Sequence, residues 1–163
     1  MRKVVGVRVL IPHCRRRPQG GSTTIVAKPV TIAAMPNSPM RVLVEPRYLP
    51  EQSSAEERVY TFSYTVTVTN TSSVPMQLIS RHWLIHDASG RTQEVKGLGV
   101  IGQQPLLAPG QAFRYTSGCQ LQAPSGTMHG SYFFVSETGE RFDVAIPMFV
   151  LEAIGTDAAR VLH

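Results

Sequence analysis

Cysteine is scarce, long apolar runs are absent, and helical periodicity is missing from this sequence of 163 residues. The two cysteines, Cys14 and Cys119, lie far apart, which excludes a disulfide-stapled scaffold and suits a reducing, cytoplasmic location. No apolar run reaches the roughly 18 residues that a membrane-spanning helix needs, so membrane insertion is not expected. Acidic residues are also unevenly distributed, because none occurs before residue 41.

The formal net charge of +5 belongs to the N-terminal part of the chain. Residues 1–40 hold seven basic and no acidic side chains, for a charge of +7. The remaining residues hold nine basic and eleven acidic side chains, for a charge of −2. A nearly neutral domain lacks the basic surface on which nucleic-acid binding depends, so no nucleic-acid partner is expected.

Residues 1–40 are predicted to lie outside the folded domain. Residues 4–11 allow a short strand, but Arg8 interrupts it and Pro12 ends it. The segment is a poor secretory signal because its apolar stretch is short and charged, and it matches a transit peptide only in part. We expect either a basic, disordered extension or a mis-assigned start, with translation beginning at Met35 or Met40. The predicted domain then covers residues 41–163.

The clearest structural signal in the domain is a two-residue alternation over residues 59–69. Aromatic and β-branched side chains alternate there with threonine and serine: Tyr60, Phe62, Tyr64, Val66 and Val68 on one side, and Thr61, Ser63, Thr65, Thr67 and Thr69 on the other. Such a period predicts a strand with one buried side, whereas a helix would scatter the aromatic residues around its circumference.

Further short strands follow at similar spacing, separated by turn-forming residues. They are predicted over residues 41–46, 76–86, 91–96, 111–116, 130–135 and 141–151, with loops over 51–58, 97–110 and 117–126. Asp87 to Gly90 is predicted to close a hairpin. Seven or eight strands and no convincing helix predict an all-β, immunoglobulin-like sandwich, with Trp83 in its core.

A glycine pattern, G-x-G-x-x-G at Gly97, Gly99 and Gly102, is one candidate binding site. A dinucleotide site needs a helix to begin at the loop, because the free N–H groups of the helix contact the pyrophosphate. Here Pro105 soon follows, so no helix can form and a dinucleotide fold is excluded. The pattern still permits a loop that needs glycine for conformational reasons, or an anion-binding loop assisted by Arg91 or Lys96.

Histidine and cysteine give weaker candidates. His82 and His86 are four residues apart, roughly 13 Å along a strand, so they cannot hold one metal ion together. A metal site would need His129 to join either one of them from a neighbouring strand, with Asp87 or Glu94 as a further ligand. Cys119 with His129 as its base would form a nucleophile, but a small, half-buried cysteine is the preferred interpretation. No paired carboxylates suggest acid–base chemistry, and no enzyme is predicted.

Basic side chains form the last candidate surface. Arg81, His82, Arg91, Lys96 and Arg114 would make a cationic patch if they shared one side of a sheet with the glycine loop. A dispersed, solvated surface is the preferred interpretation.

Several stretches, taken in order, resemble the ApaG family. They are VEPRYL at 44–49, TVTVTNT at 65–71, SRHW at 80–83, DASGR at 87–91, GLGVIGQQP at 97–105, LAPG at 107–110, YTSG at 115–118 and GTMHGSY at 126–132. The resemblance extends from about residue 41 to the C-terminus, and residues before Met35 lie outside it.

The resemblance implies a fibronectin type III-like sandwich without a catalytic activity or cofactor. It also implies an association with cobalt resistance and with magnesium and cobalt efflux. The motif at Gly97, Gly99 and Gly102 is, by resemblance, a proposed pyrophosphate site. We therefore expect a non-enzymatic module with an unidentified protein partner, and a homodimer as one option. A dinucleoside polyphosphate sensor and a direct divalent-metal binder through His82, His86 or His129 are the alternatives.

Overall fold

The computed structural model describes residues 37–153 and the dipeptide Gly6–Val7. Apart from one 3-10 turn at Pro50–Gln52, the regular structure of these residues consists of strands. The strands are β1 Gly6–Val7, β2 Met40–Tyr48, β3 Tyr60–Asn70, β4 Met76–Asp87, β5 Thr92–Leu98, β6 Leu106–Leu107, β7 Ala112–Leu121, β8 Ser125–Ser136 and β9 Arg141–Glu152. No helix in the described part of the chain is long and apolar enough to cross a membrane.

The strands form two sheets that pack face to face. The first sheet has the order β1-β7-β3-β2, in which only the β1–β7 pair is parallel. The second sheet has the order β5-β4-β8-β9 and is antiparallel, with β6 also paired to β4. The predicted all-β sandwich of seven or eight strands is confirmed, since residues 37–153 contain eight. The prediction for residues 1–40 falls largely outside the described residues.

The core explains why the alternation in β3 was so regular. Tyr64, Val66 and Val68 are buried between the sheets, whereas the threonines between them face outward. Trp83 is 2% exposed, and its ring centroid lies 5.4 Å from that of Tyr64 and 6.0 Å from that of Phe149. The predicted central position of the tryptophan is therefore confirmed.

Two hydroxyl groups are also buried in this core. Tyr115 of the first sheet and Tyr132 of the second are hydrogen-bonded to each other through their phenolic oxygens. Burial raises the pKa of both phenols, and that of Tyr64 as well. The pair thus satisfies two polar groups that would otherwise be costly to bury.

Two predicted loops are wrong in part. Residues 117–126 were expected to be a loop, but β7 continues to Leu121 and β8 begins at Ser125. Within residues 97–110, Gly97 and Leu98 belong to β5, and β6 pairs with the start of β4. Small and polar residues favour loops locally, but pairing with a neighbouring strand outweighs that preference. Glycine fits at position 118 because the chain passes close to β3 there: a Cβ atom would lie 3.1 Å from the Phe62 carbonyl oxygen.

Candidate functional site

The outer side of the second sheet contains a shallow depression of about 520 Å³. Residues of all four long strands line it, among them Arg81, His82, Lys96, Gly97 and Phe133. It includes the start of the glycine loop, which we define as residues 97–103. Several of the residues predicted to bind ligands therefore meet here.

Gly97 makes room for an arginine. It lies in β5 directly opposite Arg81 of β4. The Arg81 Nη1 atom donates hydrogen bonds to the carbonyl oxygens of Leu98 at 3.2 Å and Gly99 at 2.8 Å. A Cβ atom at position 97 would lie 3.0 Å from the same Nη1 atom. The glycine is therefore explained by the close passage of the guanidinium group.

The other two glycines of the motif are explained by a tight turn. Val100 and Gln103 exchange two backbone hydrogen bonds of 2.8 and 2.9 Å, and Ile101 and Gly102 between them have φ values of 47° and 74°. Positive φ at both central residues is the type I′ geometry, which favours glycine. Gly99 also has a positive φ of 63°, and a Cβ there would lie 2.3 Å from the Gln103 carbonyl oxygen.

This turn limits what the loop can offer to an anion. The backbone N–H groups of Gly99, Val100 and Gln103 already donate to carbonyl oxygens within the protein. No helix starts here, as predicted. On the outer side of the sheet, the positive charge for an anion would then come from the Lys96 side chain, because the Arg81 guanidinium donates to the Leu98 and Gly99 carbonyl groups.

Arg91 is not part of this site. It follows the hairpin at the opposite end of β5, where its carbonyl oxygen accepts a hydrogen bond of 3.0 Å from the Asp87 N–H. Six residues separate it from Gly97, which is about 20 Å along a strand. The structure therefore brings Gly97, Gly99, Gly102 and Lys96 together and leaves Arg91 apart.

Charge on the outer side of the second sheet is locally balanced. Glu94 Oε1 lies 2.9 Å from the Lys96 Nζ atom and 2.7 Å from the His82 Nε2 atom. Hydrogen bonds from Lys96 and His82 lower the pKa of Glu94. On the other sheet, Arg114 pairs with Glu45 at 3.2 Å. The basic residues are thus dispersed, as the preferred interpretation held.

The three histidines of the predicted metal site do not form one ligand set. The rings of His86 and His129 are stacked, with centroids 5.5 Å apart and planes inclined by 15°, while His82 pairs with Glu94. A metal ion lies in the plane of each imidazole that binds it, so near-parallel stacked rings cannot share one ion. Within residues 37–153, no three His, Cys, Asp or Glu side chains are placed to hold a metal.

Cys119 is half-buried, in agreement with the interpretation preferred from the sequence. Burial raises the pKa of its thiol to about 12, so the reactive thiolate is disfavoured at neutral pH. Its Sγ atom lies 3.7 Å from the Met128 sulfur, on the inner side of β8. His129, the next residue along β8, faces outward. The pair suggested as nucleophile and base is therefore not assembled.

Asp87 anchors the predicted hairpin, which is confirmed. Its Oδ1 atom accepts hydrogen bonds from the N–H groups of Ser89 at 3.0 Å and Arg91 at 3.1 Å, and its Oδ2 atom accepts one of 3.2 Å from the Gln122 N–H. Burial by itself would raise the pKa of this carboxyl group, but these bonds and one from the Ser89 hydroxyl lower it overall. Asp87 thus joins the β4–β5 hairpin to the β7–β8 loop.

Arg81 pairs with Tyr132, whose side chain is buried, so Arg81 lies on the inner side of β4. Sequence reasoning missed this position, because Arg81 was considered only as a surface residue. The bulge in β4 between Leu78 and Ser80 shifts the pairing register with β8. A bulge has no clear sequence signature. The alternation of apolar and polar residues in β4 therefore did not predict which side of the sheet the residues after the bulge would face.

Comparison with known proteins gives consistent matches. A family model described as the ApaG domain matches residues 50–136. The protein named ApaG from Acidovorax sp. (strain JS42) is 60% identical over 130 residues, which cover 76% of this chain and 95% of that protein. The protein named ApaG from Bordetella pertussis is 58% identical over 112 residues, covering 69% of this chain and 86% of that protein.

A solved structure agrees with the fold. The crystal structure described as the ApaA protein from Bordetella pertussis has a TM-score of 0.69 and 56% sequence identity to this chain. The match covers 72% of this chain and 95% of that one.

Proposed function

This chain belongs to the ApaG family, and from that premise we propose that it is a non-enzymatic binding module for a protein partner, associated with cobalt resistance and with magnesium and cobalt efflux. The candidate residues support binding rather than catalysis. The Cys119 thiol is half-buried beside Met128, whereas His129 faces outward, and the outward-facing histidines are held by pairing or stacking. The fibronectin type III-like character and the cytoplasmic location remain predictions that accompany this proposal.

The difference between the two outer sheet surfaces supports the proposal. Two large apolar side chains are exposed near each other on β9 of the second sheet, where Met148 is 60% and Val150 53% accessible. The outer side of the first sheet instead carries the threonines of β3 and the ion pair of Glu45 with Arg114. Apolar side chains exposed together on one side of a domain are typical of a protein-binding surface.

A photocrosslinking experiment tests this surface. A benzophenone amino acid is placed at Met148, and a matched one at Arg47, an exposed residue of β2 on the other sheet. We expect a discrete protein adduct in cells from position 148 and none from position 47. Replacing Val150 by aspartate should abolish the adduct, because a charge in the contact is costly to desolvate. Equal labelling at both positions, or none at position 148, would contradict the proposal.

A polyphosphate sensor is the alternative that the exposed Lys96 side chain beside the glycine loop favours. Three amides of the glycine loop, those of Gly99, Val100 and Gln103, are already hydrogen-bonded, so we expect pyrophosphate or a diadenosine polyphosphate at about 1 mM to raise the melting temperature by less than about 1 °C. Substitution of Gly99 would not test this, because its Cβ would collide with the Gln103 carbonyl group. Lys96→Ala is the informative variant, with Arg91→Ala as its control at the far end of β5. A larger shift that only Lys96→Ala removes would establish the sensor instead.

Direct binding of a divalent metal through His82, His86 or His129 is the second alternative. The stacking of His86 on His129 would have to be broken for either ring to join the other at one ion. Calorimetry with Co²⁺ on the protein and on His129→Ala tests it. Binding that depends on His129 would favour this alternative over the protein-binding module.

A further inference from the structure

The sheet edges differ in how they are protected against pairing with another strand. β2 contains Pro46 and β9 contains Pro147, each of which lacks the N–H that a neighbouring strand would require. β1 lies beside β7 and covers part of its outer edge. β5 contains no proline, and among the described residues no strand lies on its outer side. An unprotected edge of this kind is a template for another strand.

The backbone of β5 shows which of its groups are free to pair. Two hydrogen bonds flank the strand, from the Asp87 N–H to the Arg91 carbonyl and from the Gly99 N–H to the Ile79 carbonyl. Both involve odd-numbered residues on the β5 side. In an antiparallel pair the direction of these groups alternates along the strand, and the register here has no break. The even-numbered residues Thr92, Glu94, Lys96 and Leu98 therefore direct their N–H and C=O groups outward.

We propose that a second copy of this chain occupies that edge, with the two β5 strands antiparallel about a two-fold axis at Val95. This register places even-numbered residues opposite one another, as the outward groups require. It also places Glu94 of each copy directly opposite Lys96 of the other, and Thr92 opposite Leu98. The second sheets of the two copies then join into one continuous sheet.

Charge selects this register over its neighbours. Moving the axis to Glu94 would place the two Glu94 side chains opposite each other, and moving it to Lys96 would do the same for the two lysines. Opposite charges across strands stabilise a pair, and like charges destabilise it by a similar amount. The sequence of β5 is therefore self-complementary in one of the three registers centred on its middle.

The length of the exposed β5 edge determines how strong the proposed dimer is expected to be. Five of the seven β5 residues are exposed, including Val95 and Leu98, and pairing would cover both. Two short edges make an interface at the small end of the range for specific complexes, so the dimer should dissociate at micromolar concentration. This inference concerns contact between identical chains and does not rest on the proposed partner of the outer sheet surface.

Sedimentation of the full chain between about 1 and 500 µM tests the proposal, and charge reversal identifies the interface. We expect a monomer–dimer equilibrium in the unchanged protein. Glu94→Lys or Lys96→Glu alone should weaken dimerisation about 10- to 100-fold, because two attractive pairs become repulsive. An equimolar mixture of the two variants should form a heterodimer, since every Lys then faces a Glu. Asp143→Lys, at an exposed residue of β9 at the opposite edge of the same sheet, is the matched control and should dimerise normally.

The outcomes are distinguishable. Fluorescence of the buried Trp83 verifies that each variant is folded. A protein that stays monomeric at 500 µM, or a dimer that neither single reversal weakens, would overturn the proposal. Either result would leave the crosslinking test of the outer sheet surface unaffected.

Discussion

Gly130→Ala is expected to destabilise the protein by about 3 kcal/mol or more, or to prevent folding at room temperature. Gly130 lies in β8 between β4 and β9, opposite Trp83 and Ile146. A Cβ atom there would lie 1.9 Å from the His82 carbonyl oxygen and 3.1 Å from the Cα atom of Trp83. Both contacts are with the backbone of a central strand, so no side-chain rotation can relieve them. The strands would have to separate, with loss of pairing on both sides.

Urea denaturation followed by Trp83 fluorescence measures this effect, because Trp83 is the only tryptophan and is buried in the native state. Gly118→Ala is the matched control, since Gly118 is also in a strand and a Cβ there would meet only the Phe62 carbonyl oxygen at 3.1 Å. We expect the control to cost about 1 kcal/mol or less, because alanine also reduces the entropy of the unfolded chain. Equal costs at the two positions would refute the steric explanation.

Asp87→Asn is expected to lower the free energy of unfolding by about 2–3 kcal/mol at neutral pH. The asparagine oxygen can still accept the hydrogen bonds from Ser89 and Arg91. Its NH₂ group, however, would face the N–H of Gln122, so two donors would oppose each other in a buried position. The link between the β4–β5 hairpin and the β7–β8 loop would be lost together with the charge that strengthens the other bonds.

The pH dependence of this difference identifies the carboxylate as its cause. The pKa of Asp87 is lowered below its ordinary value of 3.8 in the folded protein. The unfolded chain therefore takes up a proton at higher pH than the native state does. The stabilisation by Asp87 is complete above about pH 3.8 and is lost as the pH falls through the native pKa.

Urea midpoints at pH 7 and near pH 3 test this dependence. The difference between the protein and Asp87→Asn should shrink at the lower pH. Asp143→Asn removes an exposed charge from β9 and should change stability by less than about 0.5 kcal/mol. A deficit of Asp87→Asn that is the same at both pH values would rule out the charge and leave only the shape of the side chain.

The fold was predictable wherever a single strand carried its own signal. The alternation from Tyr60 to Val68 predicted β3 because one side of that strand is buried and the other is solvated. Asp87 to Gly90 predicted its hairpin because an aspartate and a glycine satisfy that turn locally. The extension of β7 through Gly118 and Cys119 was not predictable, because those residues are ordered by pairing with β3, which lies more than fifty residues earlier in the chain.

At the candidate site, the sequence correctly predicted only that no helix begins at the glycine loop. Pro105 excludes a helix after the glycine loop because it lacks the N–H that a helix needs, and this effect does not depend on neighbouring strands. The reasons for the three glycines were not visible, because Gly97 accommodates Arg81 from another strand and Gly99 avoids a carbonyl group brought near by the turn. Contacts between strands decide both cases, and sequence spacing does not record them.

The prolines in β2 and β9 also determine what kind of assembly this protein can build. If every edge of a sandwich accepted another strand, each added subunit would present a new edge, and the subunits would grow into an open fibre. Here Pro46 and Pro147 interrupt hydrogen bonding at two of the outer edges. Among the described strands, β5 is the outer edge with neither a proline nor a covering strand, so an association through it leaves only the uncovered part of β7 open to a third subunit. The fold therefore favours a closed pair over an aggregate.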